Sequence, residues 1–289
     1  FIQQTDNDGV HTHRLTGTGG TGNEQVGHFR NIPHHTVAIN AFTQSNGRLG
    51  FNFAETFPQY MNSNIEAYVY AETAEGEYSM NKILEYSVKQ YCITQLKKND
   101  AALTTVISDV LTLGAMTQVY VGYKVNELVT DLVKAEGYTL TPTEFTGIPA
   151  DLDKQGVSGT AANTDLKGAS LLMGSSTEIK LTFASEDLAN TVIKVNLLGE
   201  EKSFTSEDFA YDASSGRYYI IVNYIRSYEY NEVLTATIEL NGEQVGRTIQ
   251  YSINTYLCRN VDKAGQTDAA KNLMKALYVY GVTIANYFN

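Results

Sequence analysis

Residues 251–260, YSINTYLCRN, and residues 268–289, DAAKNLMKALYVYGVTIANYFN, decide the fold because they predict a closing pair of helices. In the second segment, apolar residues recur every three or four positions from Leu273 to Phe288, which is the period of one buried helix face. Thr267 is placed to cap this helix, since its hydroxyl accepts a hydrogen bond from a free backbone amide. We therefore expect a helical hairpin.

The same pattern occurs earlier in the chain. Tyr86-Ser87-Val88 matches Tyr251-Ser252-Ile253, and Gly114 matches Gly281 within the second helix of each pair. Asp100 is the expected N-cap of the earlier second helix. A repeat of this kind predicts two similar structural units.

Between the helical segments, residues 169–249 alternate apolar and polar side chains over several short stretches. Such alternation is typical of half-buried antiparallel strands. The clearest stretches are Glu178–Phe183, Thr191–Leu197, Arg217–Ile225 and Leu234–Leu240. A shorter block of the same kind spans residues 36–80.

These patterns predict an α+β fold with two repeated units, each a small antiparallel, immunoglobulin-like β-sandwich followed by a helical hairpin. The expected domains are a flexible or spacer-like segment at 1–35, a reduced β unit with a helical hairpin at 36–135, a connection at 136–168, and a β-sandwich with a helical hairpin at 169–289.

The net charge and the distribution of apolar residues indicate which kinds of partner to expect. The formal net charge is -11, and nucleic acids and anionic membranes both require clustered Lys or Arg. The sequence has no uninterrupted apolar run of about 18 residues, the length of a membrane-spanning helix. We therefore expect no nucleic-acid partner and no membrane insertion.

The histidines are the first place to look for chemistry. All five lie in the first 35 residues, far from the predicted cores: His11, His13, His28, His34 and His35. A zinc site built on His11, His13 and a third histidine is one interpretation. Scattered imidazoles in a solvated linker are the favoured one, because no cysteine or ordered acidic partner fixes the spacing.

The second place to look for chemistry is a group of side chains that could act together in catalysis. Cys92 and Cys258 have no histidine nearby in the sequence, and we expect buried free thiols rather than a disulfide. Acidic pairs such as Glu207-Asp208 fall in stretches typical of solvated turns. We therefore expect neither an enzyme nor a cofactor or bound metal.

The chain resembles, over residues 36–289, the repeated modules of very large secreted or wall-attached proteins of gut-dwelling Gram-positive anaerobes. Those modules pair a small β-sandwich with a helical hairpin. The stretches that carry the resemblance are Gly168–Leu172, Thr177–Phe183, Tyr218–Ile225, Tyr251–Ile253, Lys275–Gly281 and Asn286–Phe288, with Gly47–Phe53 and Tyr86–Tyr91 as counterparts in the first unit.

The opening TDNDGVHTHRL is similar to spacer repeats of such proteins, but Gly and Thr stand where the spacers carry cysteine pairs. The resemblance implies an extracellular location, secreted or attached to the cell wall. Some of these proteins look like immunoglobulin-binding superantigens. The implied function is therefore adhesin-like binding of a host protein, with an immunoglobulin variable domain as candidate ligand. A carbohydrate-binding module that binds a glycan and a structural spacer are the alternatives.

Tyrosine offers large amphipathic contact area at low entropic cost. The family pattern usually has a polar residue at the position of Ile221, which would turn Tyr219 and Ile221 outward from the sheet. With Tyr228 and Tyr230 nearby in the sequence, these residues form the predicted ligand-binding patch. The alternative is that the rings only cover the sheet.

Overall fold

The computed structural model of the chain describes residues 43–45, 48–50, 58–72, 78–173 and 177–288. The predicted spacer-like segment with its five histidines lies outside the described residues, as do residues 36–42 of the first predicted β block.

The predicted α+β class is confirmed, because antiparallel strands and α-helices make up most of the described chain. The strands are β1 Thr43–Ser45, β2 Arg48–Gly50, β3 Ile65–Glu72, β4 Tyr78–Tyr86, β5 Gly156–Gly159, β6 Asp165–Met173, β7 Thr177–Ala184, β8 Thr191–Leu197, β9 Glu200–Phe204, β10 Ala210–Asp212, β11 Arg217–Val222, β12 Leu234–Leu240 and β13 Glu243–Tyr251. The helices are α1 Val88–Leu96, α2 Ala101–Val121, α3 Val129–Ala135, α4 Ile253–Asn260 and α5 Asp268–Phe288. Short 3-10 helices are Pro58–Tyr60, Ala150–Leu152, Leu188–Asn190 and Ser227–Glu229.

The chain divides into two compact units. The first takes residues 1–56 and 62–91, and the second takes residues 57–61 and 92–289. In the described part of the first unit, β1 pairs with β2 and β3 pairs with β4, both antiparallel.

The second unit contains two antiparallel sheets. One has the strand order β10-β11-β7-β6, and the other has the order β5-β13-β12-β8-β9. Strand β5 and the start of β6 fall within residues 136–168, the stretch predicted to be a connection.

Alternation along the strands places the core between these sheets. On β7, Ile179, Leu181 and Phe183 are buried, whereas Lys180 and Thr182 between them are half-buried. Inward side chains of both sheets meet in one hydrophobic core, to which α4 and α5 also contribute. The period-two pattern that predicted these strands therefore also identifies their buried face.

A buried carboxylate joins β6 of one sheet to β13 of the other. Asp165 accepts hydrogen bonds from the backbone N–H of Arg247 at 2.8 Å and from its guanidinium Nη2 at 2.7 Å. Lys167 Nζ lies 3.0 Å from the same carboxylate. The preceding Gly246 has φ +64, and a Cβ there would lie 2.8 Å from the carbonyl oxygen of Thr164. Glycine therefore allows this close approach.

The first helix of each helical pair, α1 and α4, begins a residue or two later than predicted. Tyr86 and Tyr251 are the last residues of β4 and β13 rather than members of the helices. The serines that follow cap α1 and α4. The hydroxyl oxygen of Ser87 accepts from the backbone N–H three residues on at 3.1 Å, and that of Ser252 does so at 3.0 Å. A buried serine between strand and helix thus sets each boundary.

Helices α2 and α5 each span 21 residues and begin at the predicted caps. Asp100 accepts a hydrogen bond from the backbone N–H of Leu103 at 2.8 Å, and Thr267 accepts one from that of Ala270 at 3.2 Å. The two helices pack against each other, and each also contacts a 3-10 helix, Pro58–Tyr60 for α2 and Ser227–Glu229 for α5. The predicted caps of both long helices are confirmed.

A glycine lies at the same position of each long helix, under a large side chain. A Cβ on Gly114 would collide with the thioether of Met61, which directly follows its 3-10 helix. A Cβ on Gly281 would lie 2.5 Å from ring carbon Cδ2 of Tyr230, which directly follows the other 3-10 helix. In both places the large side chain packs on bare helix backbone.

Among the described helices, α2 alone is long and apolar enough to cross a membrane by length and composition. Half of the residues in its most apolar 18-residue stretch are buried inside the protein. Asp109 in this helix is also buried, and its carboxylate accepts hydrogen bonds from the backbone N–H and the hydroxyl of Thr143 at 2.8 and 2.9 Å. These are the contacts of a core helix, and the lack of membrane insertion stays a prediction.

We expect Gly281→Ala to reduce the free energy of unfolding by about 1–3 kcal/mol, because the added methyl group overpacks a rigid aromatic ring. Gly114→Ala should cost less, because the flexible Met61 side chain can move aside. Urea denaturation of both variants measures the difference. Asn286→Ala, on the exposed side of α5, is the matched control. Equal losses at the two glycines would contradict the packing described here.

We expect Asp165→Asn to reduce the free energy of unfolding by roughly 3 kcal/mol at neutral pH, because it leaves Arg247 without its buried counter-charge. Lys167→Ala should cost about 1 kcal/mol or less, because Asp165 then keeps its hydrogen bonds from Arg247. Urea denaturation measures both losses.

The loss from Asp165→Asn should also depend on pH. Burial opposes ionisation of Asp165, but the hydrogen bonds from Arg247 and Lys167 outweigh burial and lower its pKa. A carboxyl group with a lowered folded-state pKa stabilises the fold above about pH 3.9, its usual pKa. This stabilisation is lost as pH falls through the folded-state pKa. The difference in free energy of unfolding between wild type and Asp165→Asn should therefore become smaller at low pH. A difference that does not change with pH would contradict the ion pair.

Candidate functional site

The predicted patch begins on strand β11. Ile220 and Val222 are buried in the core, so Tyr219 and Ile221 lie on the opposite, outer face of the four-stranded sheet. Tyr219 lies opposite Thr182 of β7 in the strand register. The outward orientation expected from the sequence is therefore present, but both side chains are only half exposed.

A lysine covers the ring of Tyr219. Lys180 Nζ lies 4.2 Å from the ring centroid, and the same ammonium group forms an ion pair with Asp212 at 3.0 Å. Hydrogen bonds from Ser214 and Lys180 hold the pKa of Asp212 well below its usual range. Asp212 thus remains ionised at neutral pH, and its ion pair keeps the Lys180 side chain over the ring face.

Tyr230 does not belong to a surface patch. It is 5% exposed, and its hydroxyl lies 2.8 Å from that of Thr177 on β7. Its backbone carbonyl accepts a hydrogen bond from the N–H of Asn254 on α4 at 2.9 Å, and its ring lies against Gly281 of α5. Burial raises the pKa of its hydroxyl. The prediction that Tyr230 contributes exposed surface is wrong, because its ring fills the space left by a glycine.

Tyr228, two residues earlier, does reach the surface and is part of a group of exposed rings. We call Tyr228, Tyr287 and Phe288 the aromatic cluster. The centroid of Phe288 lies 5.6 Å from that of Tyr228 and 5.6 Å from that of Tyr287. Phe288 is 66% exposed, and both tyrosines are exposed as well. The cluster joins the last turn of α5 to the 3-10 helix Ser227–Glu229.

Arg226 supports the cluster from one side. Its Nη1 donates a hydrogen bond to the Tyr228 hydroxyl oxygen at 2.9 Å, and its guanidinium carbon lies 5.8 Å from that ring's centroid. Its backbone N–H donates to the buried carboxylate of Glu229 at 2.8 Å. The side chain of Tyr228 is therefore held in place while its ring stays accessible.

Sequence reasoning missed Tyr287 and Phe288 as surface residues. Both fit the three- and four-residue period of the buried face of α5, so the pattern assigns them to packing. The preceding residues Val279 and Gly281 are buried, whereas the last turn of the helix is exposed. No signal in the sequence marks where the covering layer stops.

The acidic residues outside the aromatic cluster have structural roles wherever the structure describes their contacts. No group of three or more His, Cys, Asp or Glu side chains that could hold a metal ion occurs within the described ranges. Asp187 caps the 3-10 helix Leu188–Asn190, and Asp208 accepts from the backbone N–H of Thr205 at 2.9 Å. Asp153 is paired with Arg259 at 2.7 Å. These carboxylates therefore act in turns and ion pairs.

The two cysteines are free thiols, as predicted. Cys92 is buried, and burial raises the pKa of its thiol to about 12. Cys258 is half-buried, with its Sγ 3.9 Å from the carbonyl oxygen of Pro149, and burial also raises its pKa. Neither thiol has the lowered pKa of a catalytic nucleophile.

Comparison of the chain with protein-family models, curated proteins and solved structures gave no significant match.

We expect iodoacetamide to modify Cys258 slowly and Cys92 hardly at all in the native protein, because a buried thiol with a high pKa carries little reactive thiolate. Both should react in urea. Peptide mass spectrometry after timed quenching measures the two rates. A Cys258→Ser variant isolates the reaction of Cys92, and rapid labelling of that variant under native conditions would contradict the burial of Cys92.

Proposed function

We propose that the chain is a non-catalytic binding module of an extracellular bacterial surface protein. Its ligand is a host protein, with an immunoglobulin variable domain as the candidate. The observation that carries the proposal is the aromatic cluster, a group of exposed rings next to an arginine. Aromatic residues and arginine are the residue types enriched where protein interfaces concentrate their binding energy.

A modular architecture is part of the proposal, because the elements recur in the same order. The series β1, β2, Pro58–Tyr60, β3, β4, α1, α2 has the counterpart β10, β11, Ser227–Glu229, β12, β13, α4, α5. The β3–β4 and β12–β13 hairpins each have a register shift directly after an alanine, Ala67 and Ala236. Together with the paired serine caps and paired helix glycines, this order supports two copies of one unit, as in the surface proteins that the chain resembles.

The cluster is a better binding surface than the sheet face for a physical reason. The ring of Tyr219 is already covered by Lys180, so a partner that used it would first displace the Lys180–Asp212 pair. Phe288 presents most of its ring to solvent, and burying an exposed phenylalanine side chain is worth about 1.5–3 kcal/mol. We therefore place the interface on the aromatic cluster and retain only Tyr228 from the predicted patch.

The cluster is less suited to a glycan. Sugar rings stack on flat aromatic platforms, whereas the plane of Phe288 is inclined by 58° to Tyr228 and by 83° to Tyr287. Rings inclined in this way form a faceted apolar surface, which suits protein side chains better than a sugar face.

We expect a biosensor carrying this chain to bind immunoglobulin Fab fragments and Phe288→Ala to weaken that binding at least about tenfold, as for a hot-spot residue. Tyr228→Ala should weaken it as well. Tyr211→Ala is the matched control, since Tyr211 is also an exposed tyrosine and lies at the edge of the four-stranded sheet, outside the cluster. The control should change affinity by less than about twofold.

A glycan array run in parallel separates the alternatives. Glycan binding without Fab binding would overturn the proposal in favour of a carbohydrate module. Lack of any binding in both assays would support the structural spacer. Fab binding that is lost in Tyr219→Ala and kept in Phe288→Ala would place the interface on the sheet face instead of the cluster.

A further inference from the structure

Helix α2 has one stripe of side chains with no exposed surface at all. Ser108, Leu111, Ala115 and Gln118 are each 0% exposed, and their spacing of three, four and three residues puts them on one face of the helix. Two of the four are polar, so burial of this face requires specific hydrogen bonds as well as apolar packing.

The segment that follows α2 covers this stripe. The side-chain oxygen of Gln118 accepts a hydrogen bond from the N–H of Val129, the first residue of α3, at 2.9 Å. The hydroxyl oxygen of Ser108 accepts one from the N–H of Thr141 at 3.0 Å. Val129 and Val133, four residues apart on α3, are fully buried, and α3 packs against α2. A short amphipathic helix therefore covers the C-terminal half of the stripe.

The corresponding stripe on α5 is Lys275, Tyr278, Val282 and Ala285. Its first half is in contact with Phe145, whose ring lies 6.2 Å from that of Tyr278 and 5.5 Å from Lys275 Nζ. All four stripe residues are only half-buried, in contrast to the complete burial of their counterparts on α2.

We propose that the C-terminal half of the α5 stripe, Val282 and Ala285, is a docking face for a short amphipathic helix of the α3 type. The occupant carries two β-branched apolar residues four positions apart, like Val129 and Val133. The inference rests on the equivalence of α2 and α5 in the proposed repeat. It goes beyond the proposed function, because it concerns contact with a further module of the same kind rather than with a host ligand.

One difference between the stripes defines the partner further. Gln118 of α2 accepts from the first backbone N–H of α3, and α3 has no side-chain cap of its own. Ala285 stands at the corresponding place on α5 and offers no acceptor. The docked helix must therefore satisfy its own N-terminus, so we expect Ser, Thr, Asp or Asn at its N-cap.

The test uses the full chain labelled with nitrogen-15 and a synthetic peptide of residues 124–138 that carries Leu128→Ser as its N-cap. We expect saturable chemical-shift changes of the Val282 and Ala285 amides and of their neighbours. The unmodified peptide should bind more weakly. A peptide that also carries Val129→Asp and Val133→Asp should cause no shifts. If the capped peptide causes no saturable shifts at millimolar concentration, the proposal fails.

Protein variants complete the test. Val282→Glu should abolish peptide binding, whereas Asn272→Glu, at an exposed position near the start of the same helix and away from Val282 and Ala285, should keep it; circular dichroism confirms that both remain folded. Unchanged binding to Val282→Glu, or shifts confined to α2, would overturn the proposal, because the peptide would then be displacing α3. Fab binding reports separately on the proposed function through Phe288→Ala. Loss of peptide binding with Fab binding kept, or the reverse, therefore distinguishes failure of the docking proposal from failure of the proposed function.

Discussion

The contact between the ring of Tyr230 and the bare backbone of α5 at Gly281 is the constraint on which the arrangement of sheet and helices depends. The residue has no room to move, because its hydroxyl reaches Thr177 on β7 and its carbonyl oxygen accepts from Asn254 on α4. One residue, through its ring, its hydroxyl and its backbone carbonyl, thus joins strand β7 to helices α4 and α5. Buried aromatic rings contribute large contact areas, and a glycine opposite the ring lets the backbone approach.

This constraint also determines where an interface can lie. Tyr228 and Tyr230 flank Glu229 at the end of one 3-10 helix, and the turn directs one ring outward and the other inward. The buried ring positions the turn, and the buried carboxylate of Glu229 accepts from the backbone N–H of Arg226. The exposed Tyr228 is therefore supported by buried neighbours, while its own ring lies outside the hydrophobic core. Such residues are suited to carry binding energy, because their loss to alanine leaves the core unchanged.

The sequence predicted those features that local chemistry dictates. Helix caps at Asp100 and Thr267, and the alternating faces of β7 and β11, depend on residues close in the chain, and the structure has them. The burial of Tyr230 depends on a glycine some fifty residues away, and no local pattern contains that information. Periodicity likewise assigned Phe288 to a buried face, because a pattern within one helix does not show where its covering layer ends.

The two long helices differ in the side chains along one stripe, and this difference decides how each stripe is covered. On α2, a polar pair within an apolar stripe selects one partner segment: Gln118 accepts from the start of α3, and Ser108 accepts from residue Thr141 beyond it. On α5, Lys275 and Ala285 occupy these places, so the same helical stripe has no such acceptors and remains half-buried. Buried hydrogen bonds contribute little net stability but strongly penalise a wrong partner that leaves them unmade. The polar residues of α2 thus define which segment covers it, whereas the stripe of α5 selects mainly by shape and apolar contact.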